Sequence, residues 1–169
     1  MDQIATILRE RPAGFSVMAG DDVWTLPILV MGGDGVICTC ANEIPGEMAA
    51  MCAAALAGDW DMARRIHERW LPLMKANFVG GPNPVPVKAA LSLMGLTTDM
   101  VRLPLLPLEE SYRARLRLVL ETTGALDLGV RTTAGSTSVA GGDGASATTD
   151  PKRSTACLAI VRAEATAHA

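Results

Sequence analysis

The sequence has no surplus of positive charge: 15 Lys and Arg stand against 18 Asp and Glu, for a net charge of -3. Nucleic-acid surfaces show as clustered Lys and Arg, so that class of partner is excluded. Nor is there an apolar run near the ~20 residues that span a bilayer. The opening stretch MDQIATILRE holds two acids and lacks the apolar core of a signal peptide. A cytoplasmic protein without membrane contact is expected. The four cysteines, Cys38, Cys40, Cys52 and Cys157, form no CxxC pair, and with the distant His67 they supply too few ligands for zinc. Buried thiols are expected, with no metal and no cofactor. His67 and His168 have no carboxylate or nucleophile placed near them, which argues against a triad. Lysines are equally scarce. Lys75, Lys88 and Lys152 all fall outside strand-like runs, so the chain offers no obvious amine nucleophile.

What is present is a globular composition, 49% hydrophobic and 20% charged over 169 residues, enough for one ordinary domain. The most informative stretch is GGDGVICTCANEIP, from Gly32 to Pro45. Val36 to Cys40 is an unbroken apolar or β-branched run, the habit of a parallel strand covered on both faces. Asn42 suits a helix N-cap, and Pro45 with Glu47 suits a first turn. An earlier unit has the same order: a strand at Phe15 to Ala19, a turn at Gly20, Asp21 or Asp22 as N-cap, and a helix from Val23 to Met31. In front of it, Ile4, Ile7 and Leu8 space an amphipathic helix over Asp2 to Arg11 that has no strand before it.

Helix follows Asn42 as well, from Pro45 to Ala57, closed by Gly58. From Asp59 the pattern is all helical. Asp59 caps a helix with Ala63, Ile66, Trp70, Leu73 and Asn77 on one face, and Pro72 predicts a kink in it. GGPNPVP is a rigid loop, Val87 to Leu96 a helix, RLPLLP an extended segment, and Glu109 to Thr123 a last amphipathic helix stopped by Gly124. Beyond Leu126 the chain becomes a Gly, Ala, Ser and Thr mixture without period, expected to be disordered, with one apolar patch at Cys157 to Val161.

Parallel α/β folds place their chemistry at the C-terminal ends of strands. That singles out four residues. Gly20 would let a ligand approach the backbone. Asp22, with Asp21, stands where a catalytic carboxylate could sit, although capping of the next helix suits the pair better. Ile37 and Thr39 share one side of their strand and would offer a carbonyl and a hydroxyl, or else belong to the sheet core.

The stretches AGDDVWTLPILVMGGDGVICTCANEIPGEM, ALAGDWDMARRIHERWLPLMKANFV, NPVPVKAALSLMGL and RLPLLPLEES, in that order, resemble the C-terminal half of the 4-hydroxy-tetrahydrodipicolinate (dihydrodipicolinate) synthase family. The resemblance covers residues 1 to about 126. It implies an α/β fold in which residues 1–58 are the last two βα units of a TIM (β/α)8 barrel, residues 59–126 a three-helix C-terminal domain, and residues 127–169 a tail. It also implies a lyase that condenses pyruvate, held as a Schiff base, with aspartate semialdehyde in the diaminopimelate route to lysine. By the same resemblance, Gly20 lines the pyruvate pocket and the Ile37 carbonyl faces pyruvate. Thr39 and Asp22 match substrate-touching positions in the related sialic-acid lyase branch.

The family's Schiff-base lysine, its carboxylate-binding threonines and its relay tyrosine lie on strands before Asp2. A fragment inactive alone is therefore expected, with pyruvate as its ligand and either a homo-oligomer or an N-terminal half as partner. A non-catalytic assembly module and another pyruvate-aldolase branch are the alternatives.

Overall fold

The structure is a computed structural model, and it describes residues 1–128. Helix α1 (Asp2–Glu10) is followed by strand β1 (Met18–Ala19), a 3-10 turn (Asp22–Trp24) and helix α2 (Thr25–Val30). Strand β2 (Gly35–Val36), a second 3-10 turn (Cys40–Asn42) and helix α3 (Pro45–Leu56) repeat that order. Helices α4 (Trp60–Ala76), α5 (Val85–Leu93) and α6 (Glu110–Thr123) complete the described part. No helix among the described residues is long and apolar enough to cross a membrane.

β1 and β2 pair in parallel, Met18 opposite Gly35 and Ala19 opposite Val36. Val17 O accepts from Asp34 N–H and Ala19 O from Ile37 N–H, both at 2.9 Å, which extends the ladder by one bond at each end. Both strands are shorter than the runs Phe15 to Ala19 and Val36 to Cys40 predict. A residue stays in a ladder only while a neighbour offers its N–H and C=O, and each strand here has one neighbour among the described residues. At Thr39 the backbone has already turned to φ -71°, ψ -44°. Ile37 and Thr39 thus do not share a face by strand alternation.

Other local expectations shift for equally local reasons. The helix expected over Val23 to Met31 begins as the 3-10 turn, with Asp21 accepting from Val23 N–H, and becomes α2 only at Thr25. Asn42 does not cap α3. It lies inside the second 3-10 turn, where its side-chain amide donates to Thr39 O at 2.9 Å, and Ile44 stands at the N-cap without a side-chain bond. The α5 helix runs two residues earlier than predicted at its start and ends before Met94, with Gly95 in the left-handed region. Asp127 and Leu128 are helical, whereas the tail was expected to begin at 127. The rest of that expected tail, with Lys152, His168 and the Cys157 to Val161 patch, lies outside the described residues.

The helical segments follow their periodicity closely. Asp59 Oδ1 accepts from Met62 N–H at 3.0 Å and starts α4 as an N-cap. Ala63, Ile66, Trp70, Leu73 and Asn77 are all buried, so the inward face of α4 is the predicted one. On α6, Leu116 and Leu120 are buried and Gly124 closes the helix at φ 80°. Helix α1 is the exception: it buries no residue, and Ile7 is 51% exposed.

One apolar cluster runs without interruption from Ala19 and Val36 on the strands, through Met48, Met51 and Cys52 of α3, to Trp70, Leu73, Leu120 and Ala125. The core therefore continues across residue 58. Helix α4 lies along α3, and the Trp70 indole N–H donates to Glu47 Oε2 at 2.9 Å between them. What this architecture positions is one edge of the sheet, where both strands end beside the start of a 3-10 turn.

Candidate functional site

Parallel pairing brings the C-terminal ends of β1 and β2 to the same edge, so Gly20 and Ile37 become neighbours. The Ile37 N–H bonded to Ala19 O fixes that register. Gly20 is exposed, and a Cβ built on it would meet nothing within 4 Å. The space beside its backbone is open. Ile37 and Thr39 are half-buried. The Thr39 C=O accepts from both the backbone N–H of Asn42, at 3.1 Å, and its side-chain amide, at 2.9 Å, which holds the second 3-10 turn closed.

Asp22 stands one layer beneath. Its side chain is wholly buried, and each carboxylate oxygen accepts one backbone N–H: Oδ1 from Thr39 and Oδ2 from Cys40, both at 2.9 Å. The neighbouring Asp21 takes the local capping role by accepting from Val23 N–H, leaving Asp22 to cap the distant turn after β2. Burial pushes the Asp22 carboxyl above its usual range, against the N–H groups of Cys40 and Thr39, which favour its charged form. Of the four residues singled out from sequence, Gly20, Ile37 and Thr39 border the strand-end opening. Asp22 ties the two strand ends together from below.

Behind Asp22 lies a buried polar cluster. The Asn77 amide donates to Glu43 Oε2 at 2.6 Å and to Cys40 Sγ at 3.3 Å, and Asn77, Cys40 and Glu43 are at most 3% exposed. Glu43 Oε1 and Asn77 Oδ1 are buried without a partner among the described residues. Burial pushes Glu43 up to about 8, overcoming the hydrogen bonds from Asn77 and Cys40. A neutral Glu43 turns one orphaned acceptor into a donor, the cheaper state in a dry interior.

The three described thiols, Cys38, Cys40 and Cys52, are buried and held in their neutral form. Burial pushes Cys38 up to about 12, with Asp22 nearby adding to it, and Cys52 up to about 11; Cys40 is raised further by burial with Glu43 and Asp22 beside it. A thiol needs a lowered value to react as thiolate. Lys75 is exposed on α4 and Lys88 half-buried on α5, so neither stands on a strand. His67 Nδ1 is buried without a partner among the described residues, and burial lowers its pKa. Among the described residues no three of His, Cys, Asp and Glu come together in a metal-holding group.

Sequence reasoning missed Glu43 and the role of Asn77. The available signal was Asn77 itself, a polar residue at the end of an otherwise apolar helix face, which demands a buried partner. Nothing in the sequence pointed to Glu43 as that partner, 34 residues away.

The model of the "Dihydrodipicolinate synthetase family" matches residues 1–123. The 4-hydroxy-tetrahydrodipicolinate synthase of Chlorobium phaeobacteroides is 45% identical over 126 residues, and that of Pelodictyon phaeoclathratiforme 46%, each match covering 75% of this chain and 42% of the relative. Among solved structures, dihydrodipicolinate synthase from Aquifex aeolicus is similar with a TM-score of 0.70 at 37% identity. The chloride-inhibited enzyme from Acinetobacter baumannii complexed with pyruvate is similar with a TM-score of 0.70 at 35% identity. Each of the two covers 73% of this chain and 42% of the solved one. The chain spans about two fifths of the length of the relatives it matches.

Proposed function

The chain belongs to the dihydrodipicolinate synthetase family, and we propose that it supplies one wall of the pyruvate site of a Schiff-base-forming lyase that condenses pyruvate with aspartate semialdehyde. In this reading residues 1–58 are the last two βα units of a (β/α)8 barrel and residues 59–126 its helical C-terminal part. The observation that carries it is the bond from Ile37 N–H to Ala19 O, which sets Ile37 beside the end of β1 at the strand-end edge, with open space beside Gly20.

Each residue has a distinct task. Gly20, lacking a side chain, leaves room for a small 2-oxo acid against the backbone. Ile37 presents its carbonyl, held in register by its own N–H on Ala19 O. Thr39 stands at the turn that ends the wall. Asp22 does not meet the substrate; it fixes the Gly20 loop to the Thr39 turn through two hydrogen bonds, so that the wall keeps its shape without solvent access to the carboxylate. In this reading the amine that forms the Schiff base comes from a further stretch of polypeptide; the lysines on the described elements, Lys75 and Lys88, lie on helices and not at the strand ends.

Reconstitution tests this. The chain is mixed or co-expressed with the part of the Chlorobium relative that its match does not cover, and pyruvate consumption with aspartate semialdehyde is followed. Turnover is expected from the pair and from neither part alone. Failure of the two parts to associate, or equal turnover by this chain alone, contradicts the reading.

A further inference from the structure

Helices α4 and α6 leave a groove between them, lined by Pro72, Lys75, Ala76 and Val79 of α4 and its C-terminal turn, and by Tyr112, Arg115, Leu116 and Val119 of α6, none of them a strand-end residue. Its volume is about 250 Å³, below the range of drug-sized sites and suited to a ligand of roughly ten non-hydrogen atoms. The floor is apolar, with Leu116 buried and Val79 48% exposed. No acid lines it. Two cations do, and among the described residues neither Lys75 nor Arg115 makes an ion pair.

The cationic end is built. The Arg115 guanidinium lies over the Tyr112 ring, 5.7 Å from its centre. The ring itself is seated on Gly80, where an added Cβ would come within 2.5 Å of Tyr112 Cγ and where φ is +86°. Both facts require glycine there. An unpaired guanidinium held over an aromatic ring, beside an apolar floor without competing acids, is complementary to a carboxylate carrying an apolar tail.

We propose that this groove binds a small, largely apolar monocarboxylate, its tail on the α4 and α6 floor and its carboxylate at Lys75 and Arg115. This site is separate from the strand-end edge and does not depend on the pyruvate reading.

The chain has one tyrosine, so incorporation of 3-fluorotyrosine places a single fluorine resonance in the groove. Titrating the full chain with octanoate should shift that resonance saturably. Acetate should leave it in place, and octan-1-ol should bind about three- to tenfold more weakly, as expected for loss of two exposed ion pairs. The Lys75→Met and Arg115→Met double variant should weaken octanoate by a similar factor while its far-ultraviolet circular dichroism stays unchanged. Equal binding of octanoate and octan-1-ol, a matching response to acetate, or undiminished octanoate affinity in a folded double variant overturns the proposal.

Discussion

Asp22 ties two strand ends together from within the core. Each of its oxygens accepts a single N–H of the turn after β2. In Asp22→Asn only one acceptor oxygen remains, and the new amide faces a backbone donor. The variant should lose about 2 kcal/mol of stability, measured by urea unfolding at constant pH. Glu43 makes the pH-dependent counterpart. Its folded value of about 8 lies above the usual 4.5, so the folded state holds the proton that the unfolded state releases. Its favourable contribution is complete below about 4.5, falls as pH rises through 5 to 8 at up to ~1.4 kcal/mol per unit, and levels off above. Asp22, facing the same cluster and also raised, acts with the same sign. Glu43→Gln should flatten the slope of unfolding free energy between pH 6 and 8; an unchanged slope contradicts a neutral buried Glu43. That Gly20 and Ile37 fall where the strands end was legible because strand ends follow from local order. The Glu43 and Asn77 pair was not, because its logic is a contact across 34 residues that no local pattern encodes.

At the level of elements, helices and strands differ in what determines them. An α-helix closes its hydrogen bonds within itself, so the apolar face of α4 and the glycine stop of α6 could be read from spacing alone. A strand ends where its neighbours end, which is why β1 and β2 shrink to two residues each. The caps follow the same division. Asp59, read as an N-cap, accepts from Met62 N–H, and Asp59→Ala should cost about 1 kcal/mol in thermal or urea unfolding. Asn42 looked equally suited, but the turn after β2 recruits it inward to Thr39 O, and α3 starts at Pro45 without a side-chain cap. Two candidates of equal propensity were separated by a competing local turn, in which Asn42 bonds three residues back. The firmest join between elements is α3 with α4, through Glu47 and the wholly buried Trp70, and it carries the strand-end edge on the same core as the later helices.

Across the described residues, large apolar side chains stay exposed. Phe15, Val30 and Leu103 are 59%, 61% and 84% exposed, α1 buries nothing, and the parallel pair has few neighbours among the described residues. Parallel sheets are ordinarily covered on both faces. Sedimentation of the isolated chain should therefore show concentration-dependent self-association, and a monodisperse monomer with a sharp two-state melt would count against an incomplete sheet. The family and the helical half were visible in the ordered motifs; the length of each strand was not, since that depends on the neighbours it pairs with. The central claim is that this chain shapes the pyruvate site while another segment reacts. Its most direct test is the intact mass of both polypeptides after the reconstituted pair is treated with pyruvate and borohydride. The expected result is a reduced pyruvyl group on the complementing segment and an unchanged mass for this chain. A pyruvyl adduct on Lys75 or Lys88 would contradict it.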